Sequence, residues 1–227
     1  MKKYLKNSFN ENLKNRKQYF IHHIPVSIIN PFPDSIDTDY IMKNIEESVP
    51  LIFVTNLEGI YVGDFPELED REIQAFNKDD AIYISSFSEY PTVSPELIIK
   101  DIIHEIGHSV EEAFYFDIYG DDSIEKEFVG KKKRLVDLLK AEGHRFPNKL
   151  FFSNDYVDEL DAFLYKNIGY DKLSMLTAGL FLSPYSITSI REYFSNGFEE
   201  YLKGDKTYLR QISPALYKKI EELLELE

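Results

Sequence analysis

The chain contains no cysteine. Disulfides are therefore excluded, and any metal site must be built from histidine and carboxylate side chains rather than thiolates. No apolar run reaches the roughly eighteen residues that a membrane-spanning helix needs. The start, Met1-Lys2-Lys3-Tyr4-Leu5-Lys6, is basic, but no apolar stretch follows it, so no signal peptide is read. The expectation is a cytoplasmic or virion-associated protein without a membrane partner; a mature secreted form with its leader removed is the alternative. Positive charge is also scarce. Lys and Arg number 26 against 40 Asp and Glu, for a net charge of −14. That balance argues against nucleic acid as a partner and for basic or neutral partners, although plain solubility accounts for it equally well. Repeats, low-complexity tracts and obvious linkers are absent. Histidine is rare too, five in 227 residues, which gives weight to where two of them fall.

They fall in His104-Glu105-Ile106-Gly107-His108. With five His and 23 Glu in the chain, one match to H-E-x-x-H is expected by chance at a level of about 0.01. The surroundings predict a helix from Ser94 to Phe114. Ser94 suits the N-cap and Pro95 the first helical position. Ile99, Ile102, Ile103, Ile106, Val110, Ala113 and Phe114 then recur at helical spacing. Residues four apart share a helix face, so His104 and His108 can offer imidazole nitrogens to one ion, and Glu105 can reach a water on it. The plain alternative is a pair of helix histidines bonded to neighbours. It is disfavoured because two His and a Glu on an Ile-rich helix are costly to bury without a partner.

Along the rest of the chain, residues 1–20 are polar and read as a tail, and 21–227 as a single domain, β-rich over 21–90 and helical over 94–227. Strands are expected at Phe20–Asn30, Ile60–Gly63 and Ala81–Ser86, and helices at Tyr40–Ser48, Ser123–Glu142, Asn154–Lys166, Tyr170–Leu180, Ser189–Lys203 and Ala215–Leu226. Residues 64–80 read as an acidic loop with a helical turn near Glu69–Phe76. The strand at 81–86 either packs inside the sheet or, as an edge, can hydrogen-bond an extended peptide. The basic run Lys131-Lys132-Lys133-Arg134 reads as solvated or ion-paired helix surface.

Catalytic zinc usually takes three protein ligands. The longer motif H-E-x-x-H-x-x-G-x-x-H is closed, because Glu111 and Phe114 stand where Gly and His are required. His22, His23, His144 and Glu111 are weak candidates for the third ligand. Asp101 and Glu112 are better suited to buttressing a ligand histidine by hydrogen bonding. Glu192 stands out, as an acid on the aromatic, core-facing part of its helix, where burial needs positive compensation.

The stretch Ser183-Pro184-Tyr185-Ser186-Ile187-Thr188-Ser189-Ile190-Arg191-Glu192-Tyr193-Phe194-Ser195-Asn196-Gly197-Phe198 resembles the second motif of the anthrax lethal factor catalytic domain family, which includes the Pro-Pro endopeptidases. Tyr185, seven residues before Glu192, and Tyr193, Phe194 and Phe198 fall in register, and the first motif with Gly107 also fits. The resemblance spans about residues 80–227, with a longer insertion over 109–184 than in lethal factor. It implies an α+β, zincin-like fold with a small N-terminal sheet and helices packed on the motif helix. It further implies zinc (Zn2+) held by His104, His108 and Glu192, Glu105 as general base, Tyr185 at the oxyanion, and a protein or peptide substrate. One position departs from the pattern: the family's Glu four residues after the ligand is Asn196 here, able to hydrogen-bond a ligand histidine but not to supply charge. The expected function is a zinc endopeptidase. The alternatives are a non-catalytic zincin-like structural or interaction protein, such as a phage or mobile-element component, and a non-haem iron site, which Glu105 disfavours.

Overall fold

The computed structural model describes residues 18–71, 74–86 and 94–226, the side chains of 69–71 excepted. The expected loop at Phe87–Val93 and residues 1–17 of the expected tail lie outside them. The N-terminal part runs β1 (Tyr19–Ile21), β2 (Ile24–Ile28), α1 (Thr38–Ser48), a 3-10 turn (Leu51–Val54), β3 (Gly59–Gly63), α2 (Pro66–Arg71), β4 (Ala75–Lys78) and β5 (Ala81–Ser85). The remainder is helical: α3 (Pro95–Ala113), α4 (Tyr115–Tyr119), α5 (Ser123–Ala141), α6 (Asn148–Phe151) and α7 (Asp158–Ala162), which runs into a π-helical turn (Phe163–Ile168). Then come α8 (Tyr170–Thr177), a 3-10 turn (Tyr185–Ile187), α9 (Ile190–Lys203), α10 (Lys206–Ile212) and α11 (Pro214–Leu224).

The five strands form one mixed sheet in the order β1-β2-β3-β5-β4. The inner pairs β2/β3 and β3/β5 are parallel, and the outer pairs β1/β2 and β4/β5 antiparallel. Ile60 and Val62 of β3 and Ile82 and Ile84 of β5 are buried, as are Ile99, Ile102, Ile103 and Ile106 of α3. These residues belong to one apolar core that continues through Phe128, Phe194 and Phe198 to Leu223. A clear alternation is missing from the inner strands because both faces of β3 and β5 are covered.

The helix at 94–114 forms as its sequence dictates. Ser94 Oγ accepts from the Leu97 N–H at 3.3 Å, and Pro95 takes the first turn. Four expectations are corrected. The strand at Phe20–Asn30 is a hairpin: the chain turns at His22-His23, with His22 at φ 53°, and Ile21 faces Ile24. The tail ends earlier than residue 20, because Tyr19 and Phe20 pair in β1. The strand at 81–86 packs inside the sheet, the first of the two readings its sequence left open. Residues 75–78, taken for loop or helical turn, form β4, which pairs with β5 and is itself the sheet edge. Asp79 and Asp80 both take left-handed φ (52° and 57°), the conformation that a two-residue hairpin turn requires. Lys131 and Lys132 are buried rather than solvated.

Candidate metal centre

Helix α9 packs across α3, and the crossing is close because Gly107 carries no side chain. Gly107 lies against the Cα of Ser195: a Cβ added at Gly107 would stand 3.2 Å from it and 3.2 Å from the Phe198 ring. That approach brings the first turn of α9 onto the histidines of α3. The Ser189 hydroxyl caps α9 by accepting the Glu192 N–H at 3.1 Å. Ser189-Ile190-Arg191-Glu192 is a capping-box sequence, in which the Glu would normally fold back onto the cap's own N–H. Here the carboxylate turns to the histidines instead. Its Oε2 lies 3.1 Å from His104 Nε2 and its Oε1 3.4 Å from His108 Nε2.

His104, Glu105 and His108 each present a donor atom within 4.8 Å of the others. The two rings are nearly perpendicular, at 88°. Ligands bound tetrahedrally at about 2.0–2.1 Å sit about 3.3–3.4 Å from one another. The Glu192 carboxylate comes within about that distance of each Nε2, through a different oxygen for each, and the donor set of two imidazoles and a carboxylate suits zinc. The residues present therefore fit the ion.

The electrostatics point the same way. Burial alone would push the Glu192 carboxyl up and the His104 imidazole down. Their mutual contact overrides both, holding the carboxylate ionised and the imidazole protonated, with Glu199 adding to the pull on His104. A proton on His104, or a cation among the three side chains, meets the same need for positive charge. Burial raises the Glu105 carboxyl above the ordinary range, against the lowering pull of His108 and His104.

Several surrounding groups support this set, and not all of them were expected. Arg191 Nε–H donates to His108 Nδ1 at 3.1 Å, and Ser195 Oγ lies 2.8 Å from the same atom, so Nδ1 accepts from Arg191 in this arrangement and both groups fix the orientation of the ring. Glu199 Oε2 stands 3.8 Å from His104 Nδ1. Residues 192, 195 and 199 share one face of α9 at helical spacing, a signal present in the sequence. Glu112 pairs with Arg191 and so acts one step further out than expected. Asp101 lines the cleft, its carboxyl pushed up to about 6 by burial and by the Glu199 charge. Asn196 is corrected: it does not reach a histidine. Its Nδ2 donates to the Glu192 carbonyl at 2.9 Å, and its Oδ1 accepts from Ser183 at 2.7 Å, tying α9 to the segment that carries Tyr185.

The centre opens into a cleft of about 440 Å³, with Glu105, Tyr185 and Glu192 in its wall and the edge strand β4 along one side. Asn77 of β4 approaches the Glu105 carbonyl at 3.5 Å. Tyr185, Arg191 and Glu192 also border a second space of about 890 Å³, walled by Glu111, Tyr119, Glu125 and Tyr156 among others. The weaker ligand candidates fall elsewhere. His22 bonds the Val49 carbonyl, His144 stands beside Lys172, and Glu111 faces Arg191. Comparison with family models, with curated proteins and with solved structures returned no match.

Proposed function

We propose that the chain is a zinc-dependent endopeptidase of the gluzincin kind, with a zincin-like fold, as the resemblance to the lethal factor catalytic domain family implies. The observation that carries this reading is the convergence of the Glu192 oxygens on both motif histidines, at 3.1 and 3.4 Å, in a cleft that also contains Glu105. His104, His108 and Glu192 would hold the ion. Bound there, zinc supplies an acidified water and a Lewis acid for a peptide carbonyl. Glu105 takes the proton of the attacking water and returns it to the leaving nitrogen, a role suited to a carboxyl that burial has raised. The Tyr185 hydroxyl donates to the developing oxyanion. Among the described residues β4 is an outermost strand and pairs only with β5, an edge that suits an extended polypeptide rather than a small molecule.

The test is elemental analysis of wild type, Glu192→Ala and Glu105→Gln. About one zinc per chain is expected in wild type and in Glu105→Gln, with much less in Glu192→Ala. Peptide cleavage should be lost in both variants. Full zinc retention by Glu192→Ala would remove Glu192 from the site, and zinc without cleavage of any peptide library would favour a binding protein.

A further inference from the structure

A third cavity lies away from the metal centre, between the C-terminal end of α5, the chain around Phe146 and the start of the π-helical turn. Its volume is about 360 Å³. The floor is apolar. Leu139 and Phe151 are buried, and the rings of Phe146 and Phe163 lie 4.7 Å apart at 31°. The rim is basic: Lys140 and Arg145 are exposed beside a half-buried His144. Lys172 adds a cation, its Nζ 3.3 Å from His144 Nε2, and Glu142 in the same stretch is already paired with Lys172 at 3.1 Å. In a chain of net charge −14, such a cluster of cations stands out from the average surface.

Two features indicate a ligand rather than loose packing. Interiors fill to crystal-like density, and a void forfeits the dispersion contacts of its lining. A space of this size falls instead in the range of small-molecule sites, about 300–1,000 Å³. Independently, Phe163 begins a π-helical turn, a rare geometry that recurs at functional sites. Its first residue is the one whose ring lies 4.7 Å from that of Phe146.

We propose that this cavity binds an amphiphilic carboxylate of the medium-chain fatty-acid type. The alkyl body lies among Phe146, Phe151 and Phe163, and the anionic head meets Arg145 and Lys140 at the rim. An apolar floor does not accommodate a small polar anion such as phosphate, and a basic rim gives a charged head an advantage over a neutral one. The site shares no lining residue with the metal centre, so it does not depend on the peptidase reading.

The experiment is calorimetric titration of the full chain with decanoate, with decanol as the neutral control. Saturable binding is expected, with decanoate tighter than decanol by at least about tenfold. That difference should disappear in Lys140→Ser/Arg145→Ser, whose exposed positions leave the fold intact. Val136→Phe, which narrows the floor, should weaken both ligands, with circular dichroism checking that it folds. The rim variant decides the question even if Val136→Phe does not fold. No saturable decanoate binding, equal affinity for decanol, or unchanged binding in the rim variant would each overturn the proposal.

Discussion

Replacing Gly107 with alanine sets helix propensity against the α3–α9 crossing. The new methyl would stand 3.2 Å from Ser195 Cα and from Phe198 Cδ1, and 3.3 Å from Ser195 Oγ. Carbon atoms in comfortable contact sit about 3.5–4.0 Å apart, so the crossing must open by a few tenths of an ångström. Phe198 cannot simply swing away, because its ring packs on Phe53 at 5.0 Å and on Phe194 at 6.2 Å. Ser195 presents backbone. Alanine gains about 1 kcal/mol over glycine inside a helix, while overpacking costs about 1–3 kcal/mol. The net loss of stability is thus about 0–2 kcal/mol, a fall in Tm of up to about 8 °C for a domain of this size. Metal affinity has no such compensation. Glu192 and Ser195 ride on α9, and a site tolerates only about 0.5 Å of misplacement; disturbing such supports costs about 10–100-fold in affinity. Thermal melting of the metal-free protein and zinc competition against a chromophoric chelator read the two effects separately. The expected result is a small change in Tm with at least about a tenfold loss of zinc affinity. A raised Tm with unchanged zinc affinity would refute a tight crossing that sets the ligand geometry.

Lys132 is fully buried, bonded to the Ser153 carbonyl at 2.8 Å, and burial holds its ammonium down to about 7. The unfolded chain keeps that proton up to the ordinary lysine range, so stability should rise from about pH 7 towards pH 10. Lys132→Met should remove this contribution to the slope and add on the order of 2–4 kcal/mol below pH 7, and denaturant melts at several pH values that show the slope unchanged would contradict it. Glu199→Gln should lower zinc affinity about tenfold by removing the charge beside His104; equal affinity in a chelator competition would assign Glu199 to the surface alone. Arg191→Leu leaves the buried Glu111 without its cation. Because burial already raises that carboxyl, the loss of about 1–3 kcal/mol expected at pH 7 should shrink as the pH falls and Glu111 protonates, and a loss independent of pH would point to packing instead.

Much of the site could be read from the chain because helices announce themselves locally. Ser94-Pro95 and Ser189 mark the starts of α3 and α9, and His104, His108 and Glu192 lie on those helices. What the sequence did not convey depends on distant pairing. β4 is four residues of mixed character, Ala-Phe-Asn-Lys, made a strand by β5 across an Asp-Asp turn that carries no glycine. The break at His22 rests on one left-handed residue inside an otherwise continuous β-prone run. Asn196 was assigned by its register in the resemblance, whereas Ser195 and Glu199 reach the histidines because of how α9 is rotated against α3. Lys132 reads as surface by charge, yet its helix turns it onto the Phe128 ring at 4.4 Å.

The chain leaves α3 at Phe114 and comes back to it at Ser189, where Arg191 meets Glu112 and the Ile190 N–H bonds the Asn154 carbonyl. Everything between departs from and returns to one spot, as a balcony does from a wall. This excursion carries Tyr119, Glu125 and Tyr156 of the larger cleft wall and the whole phenylalanine-lined cavity. His104, His108 and Glu192, the proposed metal donors, lie on the wall itself. Changes at Tyr119, Glu125 and Tyr156 can therefore reshape the larger space while His104, His108 and Glu192 stay in place, so the two can vary independently in the same chain.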